Sequence, residues 1–282
     1  MGGIYVMSSE FLEPVAEGVW KTSVPSKTIP PYHHTHCYWI DTPKGFLLVD
    51  TGDGIHTHYL LAAYQELGRP IMLGVIMTHG HRDHVGGASF VCTEWHVPMW
   101  MDFKDRKLLD GGLMSLGCWR NIPEQAVGEL PGIELIAAPG HTQGQINLFL
   151  RASRVLLAGD NLLGNSTSVI TPPHGHLRTY LATLDRLYNL GAVLALPAHG
   201  DVITDPADYI TQYRRHRFER LAQIRSALDS EALSAAEIAQ MLYPGPQRMI
   251  GERMVMSHLQ YLLEDREIRP VEGGERYMRL SS

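Results

Sequence analysis

Residues 71–77, Ile-Met-Leu-Gly-Val-Ile-Met, run straight into Thr78-His79-Gly80-His81-Arg82-Asp83-His84-Val85-Gly86-Gly87. An unbroken apolar run of that length reads as a buried strand that ends at Thr78. Imidazoles and a carboxylate clustered where a strand ends can converge on one point, and Gly80, Gly86 and Gly87 allow a tight backbone path there. One histidine in such a loop is ordinary. Three with an aspartate in a six-residue window read as a metal site.

The flanking sequence says what kind of sheet carries that strand. Strands are expected over 19–24, 37–40 and 46–49, with the Pro-rich 25–32 as a loop, and again over 133–138, 145–150, 154–157 and 193–196. Between them, Ile55, Tyr59, Ala62, Ala63 and Leu67 recur at helical spacing, closed by Gly68 and Pro70, and 177–190 forms a second amphipathic helix. Strands alternating with helices give an α/β fold with helix-covered sheets. A chain of 282 residues has room for one catalytic-scale domain, expected over 1–205, and a smaller one over 206–282. The second is different in kind: helical patterns at 209–228, 234–242 and 252–265, then a hairpin of 267–271 and 276–280 around Glu272-Gly273-Gly274-Glu275.

That order resembles a winged helix, usually a DNA reader. Charge argues for another use. Residues 206–282 hold eleven Arg/Lys and eleven Asp/Glu, and the would-be recognition helix sets Glu252, Glu264 and Asp265 against Arg253, where phosphate contact wants a cationic face. A packing or homodimerisation module is the expectation. The whole chain carries a net charge of -6, so nucleic acid is not favoured as a partner. With 44% hydrophobic and 19% charged residues, disorder and coiled coil are excluded. No apolar stretch reaches the roughly 18 residues of a membrane span, and residues 1–18 lack a basic segment followed by an apolar run. Cys37, Cys92 and Cys118 are odd in number and lack C-x-x-C spacing, which argues against a disulfide framework and for a reducing, cytoplasmic setting.

Three further candidates end later strands beside glycines: His141 in Ala138-Pro139-Gly140-His141-Thr142, Asp160 after Leu156-Leu157-Ala158-Gly159, and His199 after Leu196-Pro197-Ala198. With the H-x-H-x-D-H run at 79–84, these residues resemble the metallo-β-lactamase superfamily, across residues 50–200. The resemblance implies a sandwich of two mixed sheets flanked by helices, with a two-metal site at one edge. By it, His79, His81 and His141 bind the first metal, Asp83, His84 and His199 the second, and Asp160 bridges them. Asp50, in Leu48-Val49-Asp50-Thr51-Gly52, matches the family's first motif and would orient a ligand histidine.

The common zinc β-lactamases carry a cysteine where Asp160 stands, which disfavours antibiotic hydrolysis. A carboxylate there resembles glyoxalase II, lactonases and the nuclease branches. The finer likeness is to the lactamase-beta-like endoribonuclease and thioesterase group, through Gly159-Asp160-Asn161-Leu162-Leu163-Gly164-Asn165-Ser166-Thr167, Thr179-Tyr180-Leu181, Leu184-Asp185-Arg186-Leu187 and the tail. Gln143-Gly144-Gln145 departs from it, where relatives often carry His or Ser. Seven N/O ligands without a thiolate suit two divalent ions, zinc first, with iron or manganese feasible. Two such ions would share a hydroxide that attacks a small-molecule substrate, with Asp160 or Asp83 handling the proton. An acyl thioester or ester leads, since it needs only an apolar cleft; single-stranded RNA or a lactone comes second, and a non-catalytic DNA-binding regulator third. His33, His34, His36, His174 and His176 are either mouth residues or solvated loop residues. The apolar stretches 95–101 and 113–119 read as core before acyl pocket.

Overall fold

The apolar runs pair into two mixed sheets. The computed structural model describes residues 9–122, 130, 132–245 and 248–280. In the first sheet β1 (Glu13–Ala16), β2 (Val19–Pro25), β3 (His34–Thr42), β4 (Gly45–Val49), β5 (Met72–Ile76), β6 (Met99–Met101) and β7 (Trp119–Asn121) lie in chain order. Pairing is antiparallel up to β4 and parallel from β4 to β7. The second sheet runs β11-β10-β9-β8, from β8 (Ile133–Ala137), β9 (Ile146–Leu150), β10 (Val155–Gly159) and β11 (Leu194–Pro197), with β10 and β11 parallel.

Period-two alternation assigns each strand a face. Tyr38, Ile40, Leu47, Val49 and Ile76 of the first sheet share one core with Ile146, Leu148, Leu150, Val155 and Leu157 of the second. The opposite faces of the same strands, Cys37, Trp39, Leu48 and Val75, pack under α1 (His58–Glu66) and α3 (Ala88–Glu94) through Leu60, Ala63, Ala88 and Val91. A buried leucine is worth about 1.5–3 kcal/mol over an exposed one, so both cores hold the register firmly. The stripe of α1 is shifted from the expected one: Leu60, Ala63 and Leu67 are buried while Ile55 is 69% exposed. Short helices α2 (Arg82–Val85) and α4 (Gly111–Met114) and a 3-10 turn, Phe103–Leu108, complete this unit. It comprises Met1–Ala138, Gly144–Ser166 and Ala192–Asp205.

One expectation fails here. Cys92, in α3, is bonded to Cys118, beside β7. An odd cysteine count bears on frameworks, whereas pairing needs only proximity. The Met99 amide donates to the Cys118 carbonyl as β6 and β7 pair, and the two cysteine Cα atoms stand 6.1 Å apart, within bonding range. The cysteine-based ground for a reducing compartment goes with it. The segments 95–101 and 113–119 are largely core, with Met99, Met101, Leu113 and Trp119 buried. Among the described residues no helix is long and apolar enough to cross a membrane.

The second compact unit gathers Pro139–Gln143, Thr167–Gly191 and Pro206–Ser282. Helix α5 (Leu177–Asn189) buries Leu177, Tyr180, Leu181, Leu184 and Leu187, an i, i+3, i+4, i+7 stripe. It is followed by α6 (Pro206–Ala227), β12 (Leu233–Ser234), α7 (Ala235–Leu242), α8 (Arg248–Glu264), β13 (Ile268–Val271) and β14 (Arg276–Arg279), the three strands ordered β12-β14-β13. Ser234 and Glu237 form a reciprocal cap that starts α7.

Candidate metal centre

Two pairs of parallel strands aim their carboxyl ends at one place. Val49 of β4 lies opposite Ile76 of β5, so Asp50 and Thr78 emerge side by side; Gly159 of β10 lies opposite Pro197 of β11, so Asp160 and His199 do the same. Loops beyond the carboxyl ends of parallel strands are where α/β folds hold ligands. Asp50 takes a left-handed φ of 61°, which a short polar side chain tolerates, and turns its carboxylate back under the next strand. There Oδ1 accepts the Thr78 amide at 2.7 Å, and Oδ2 accepts the Thr78 hydroxyl and His84 Nδ1, both at 2.8 Å.

With Nδ1 so engaged, His84 turns Nε2 toward Asp160 Oδ1 at 3.4 Å and Asp83 Oδ1 at 3.9 Å. His199 is set the same way from the other sheet. Its Nδ1 donates to the His34 carbonyl at 2.8 Å, and its Nε2 faces Asp160 Oδ1 at 3.4 Å and Asp83 Oδ2 at 3.5 Å. His79 Nε2 lies 2.9 Å from His81 Nδ1, with Thr78 Oγ1 behind His79 Nδ1 at 3.1 Å. Two sets of donor atoms, His79-His84-Asp160 and Asp83-His84-His199, each fall within 4.8 Å of one another. His141 belongs to the second unit, where its Nδ1 donates to the Val169 carbonyl at 2.8 Å and leaves Nε2 as the ligand-capable atom.

Glycine makes the loops fit. A Cβ on Gly86 would stand 2.2 Å from the Asp53 carbonyl, and one on Gly87 would stand 2.5 Å from that of Thr51, so the motif loop lies backbone against backbone on the loop that carries Asp50. Thr51 fastens them, its amide and hydroxyl both bonding the His84 carbonyl at 2.8 Å.

The donors fit a divalent cation. Buried Nε2 atoms of His84 and His199 find no hydrogen-bond partner among the described residues, though each faces carboxylates just beyond bonding distance. Burial favours neutral imidazole at His84, yet Asp160, Asp50 and Asp83 outweigh it and hold the ring well above its ordinary pKa. Burial pushes Asp83 up, but His84 and His199 outweigh that and hold it below the carboxylate range. Both shifts say that positive charge belongs at this point, and a metal bound by imidazole and carboxylate supplies it.

Residues 31–199 match the metallo-beta-lactamase superfamily model. The chain belongs to that superfamily. The superfamily chain is 29% identical over 216 residues to a beta-lactamase-like protein 2 homolog of Caenorhabditis elegans, covering 74% of this chain and 70% of the relative. It is 28% identical over 201 residues to an atrochrysone carboxyl ACP thioesterase of Aspergillus novofumigatus, covering 69% of this chain but only 58% of that relative's length. A beta-lactamase domain protein from Burkholderia ambifaria has the same fold, with a TM-score of 0.81 at 21% identity over 98% of this chain and 96% of its own. The His/Asp cluster is accordingly that of a metal-dependent hydrolase.

Some contributors to this metallo-beta-lactamase site carry no sequence signal. Tyr32 stacks on His199 with ring centroids 5.6 Å apart and donates its hydroxyl to the Gly164 carbonyl at 2.6 Å. Asp105 is buried and accepts the amides of Gly80 at 3.1 Å and Gly144 at 2.7 Å. The extra histidines do structural work. His36 bridges Ser23 Oγ and the Gly200 carbonyl, both at 3.0 Å, and burial pushes it down to about 3. His176 caps α5 and pairs with Glu264 at 2.8 Å. His33 is exposed, and His34 serves through its carbonyl. A cleft of about 420 Å³ beside Val97, Trp100 and Cys118 contains none of the His/Asp cluster.

Proposed function

We propose that this protein is a dinuclear metal-dependent hydrolase acting on an acyl thioester or ester. The observation that carries the reading is Asp160: it falls within 4.8 Å of donor atoms of His79 and His84, and its Oδ1 lies 3.4 Å from His84 Nε2 and His199 Nε2, so the carboxylate stands beside residues of both sets. His79, His81 and His141 would hold one ion, Asp83, His84 and His199 the other, and Asp160 both. Such ions supply an activated water and a Lewis acid for the substrate carbonyl, and an all N/O donor set suits zinc first, with iron or manganese next. Asp50 and the His34 carbonyl fix the tautomers of His84 and His199, keeping each Nε2 lone pair directed at the centre. Asp83 or Asp160 takes the proton released at the attacking oxygen and returns it to the leaving thiolate or alkoxide.

Two facts favour a thioester over RNA. One relative is named as an ACP thioesterase, and a chain of net charge -6 offers no general attraction to phosphates. We take the helices and three-stranded sheet after Pro206 as a winged-helix-like module, whose balance of charges favours a role in packing, including between two copies, over DNA contact.

The test is thiol release from a panel of acyl-CoA esters by zinc-, manganese- and iron-loaded protein, with His84→Ala alongside. Release that tracks acyl size and falls at least a hundredfold in His84→Ala is expected. Two bound metals per chain with no thiol released would overturn the thioester reading and make single-stranded RNA and lactones the next substrates.

A further inference from the structure

Arg217 stands in α6 with no exposed surface. Its Nη2 donates to the Ser168 carbonyl and its guanidinium lies over the Tyr180 ring at 5.6 Å, but Nε and Nη1 meet no acceptor among the described residues. A buried cation without a counter-charge is among the costliest things a protein can hold. Other polar atoms of the second unit are in the same condition. On α8, Nε2 of His258, on which Arg217 and Arg220 both act, is buried without a partner. One turn along α6, Arg220 spends Nη1 on Gln223 Oε1 and the Leu242 carbonyl but has an unpaired Nε, and Tyr243, the C-cap of α7, has an unpaired hydroxyl; the guanidinium lies 4.5 Å from the centre of the Tyr243 ring.

Carboxylates nearby are spent elsewhere. Glu219 pairs with Arg215 on the exposed side of α6, and Asp185 with Arg214. No carboxylate among the described residues forms an ion pair with Arg217 or Arg220. Burial together with the charges of Arg217 and Arg220 pushes His258 down to about 3, so that ring is neutral and offers the cluster no balancing charge. Two guanidiniums a turn apart on α6, one of them against the Tyr243 ring, thus act on one neutral imidazole of α8, with no carboxylate among the described residues paired to either.

We propose that a small monovalent anion of the chloride class binds between α6, α8 and the end of α7, held by Arg217 and Arg220 with the hydroxyl of Tyr243. Water would satisfy the donors but leave the charge uncompensated. Size follows from burial: Arg217 and His258 have essentially no surface, which leaves room for a small anion only, and the half-buried Arg220 and Tyr243 would form the side by which it enters.

Bromide is the probe. Crystals of the full chain soaked in sodium bromide should show an anomalous peak about 3.3 Å from Arg217 Nη1. In solution, replacing gluconate by chloride at constant ionic strength should raise Tm by about 2–3 °C at ten times the half-saturating concentration. Arg217→Met should fold and lose the chloride response, because an apolar isostere needs no counter-ion. Arg220→Gln, at a half-buried position, should raise the half-saturating concentration about tenfold. No bromide peak, equal Tm in chloride and gluconate, or an undiminished response in Arg220→Gln would each overturn the proposal.

Discussion

Replacing Asp50 by Asn tests whether this site is set by tautomer control. The wild-type carboxylate accepts three hydrogen bonds: the Thr78 amide, the Thr78 hydroxyl and His84 Nδ1–H. An asparagine has one acceptor oxygen. If that oxygen keeps the Thr78 amide, the Asn NH2 faces His84 Nδ1, which must become the acceptor, and the proton moves to Nε2, the atom aimed at Asp160. If the amide flips to keep His84, its NH2 meets the Thr78 N–H at a buried position. The first outcome removes a ligand, worth 10–100-fold in metal affinity, or about 1.4–2.7 kcal/mol. The second leaves a buried donor unpaired, about 1–3 kcal/mol of folding stability. Competition with a chromophoric chelator, with metal counted per chain, separates the two ions. Asp50→Asn should weaken the ion that His84 serves by at least tenfold and the other by less. Thr78→Val, which keeps the Asp50–His84 bond but takes the hydroxyl from His79 Nδ1, should change the ion that His84 serves without His79 by less than threefold and weaken the one that His79 serves. Asp50→Asn protein that holds two ions at wild-type affinity and unfolds at the wild-type temperature would refute the reasoning.

Further outcomes follow from the same geometry. His258 has a folded pKa near 3 against an ordinary 6.5, because burial and Arg217 disfavour its charge. The unfolded chain then binds the extra proton between those values, so the His258 contribution to stability is full above pH 6.5 and falls by about 1.4 kcal/mol per pH unit toward 3; the stability lost between pH 7 and pH 5 in urea titrations should be smaller by roughly 2 kcal/mol in His258→Gln. Reducing Cys92–Cys118, which closes a loop with a sequence separation of 26, should cost about 3–4 kcal/mol in a chain-entropy account, read as the midpoint difference with and without reductant. Asp83→Asn should lower thiol release at least a hundredfold at matched metal occupancy, and should lower Tm in excess chelator, because it removes the carboxylate that faces His84 and His199.

Much of this site was legible because its parts announce themselves. Apolar runs of strand length, each ending in a Gly-flanked His or Asp, located β5, β10 and β11 and the side chains at their ends. Two kinds of feature were not. Contributors that act through a backbone carbonyl, like His34, or a packed ring, like Tyr32, leave no pattern, because any residue offers a carbonyl and aromatic loop residues are common. Three-residue strands such as β6 and β7 are too short to show alternation and are held by their neighbours' hydrogen bonds. The buried Arg217 and the Cys92–Cys118 pair depend on distances between segments far apart in the chain, which spacing along it does not encode.

Asp105 gives the site its last property. Its two carboxylate oxygens each take one amide, Gly80 from the loop after the first sheet's β5 and Gly144 from the turn leading into the second sheet's β9. One side chain thus sets the spacing between a loop of each sheet, and exchanging Asp105 for an apolar residue would free both loops at once.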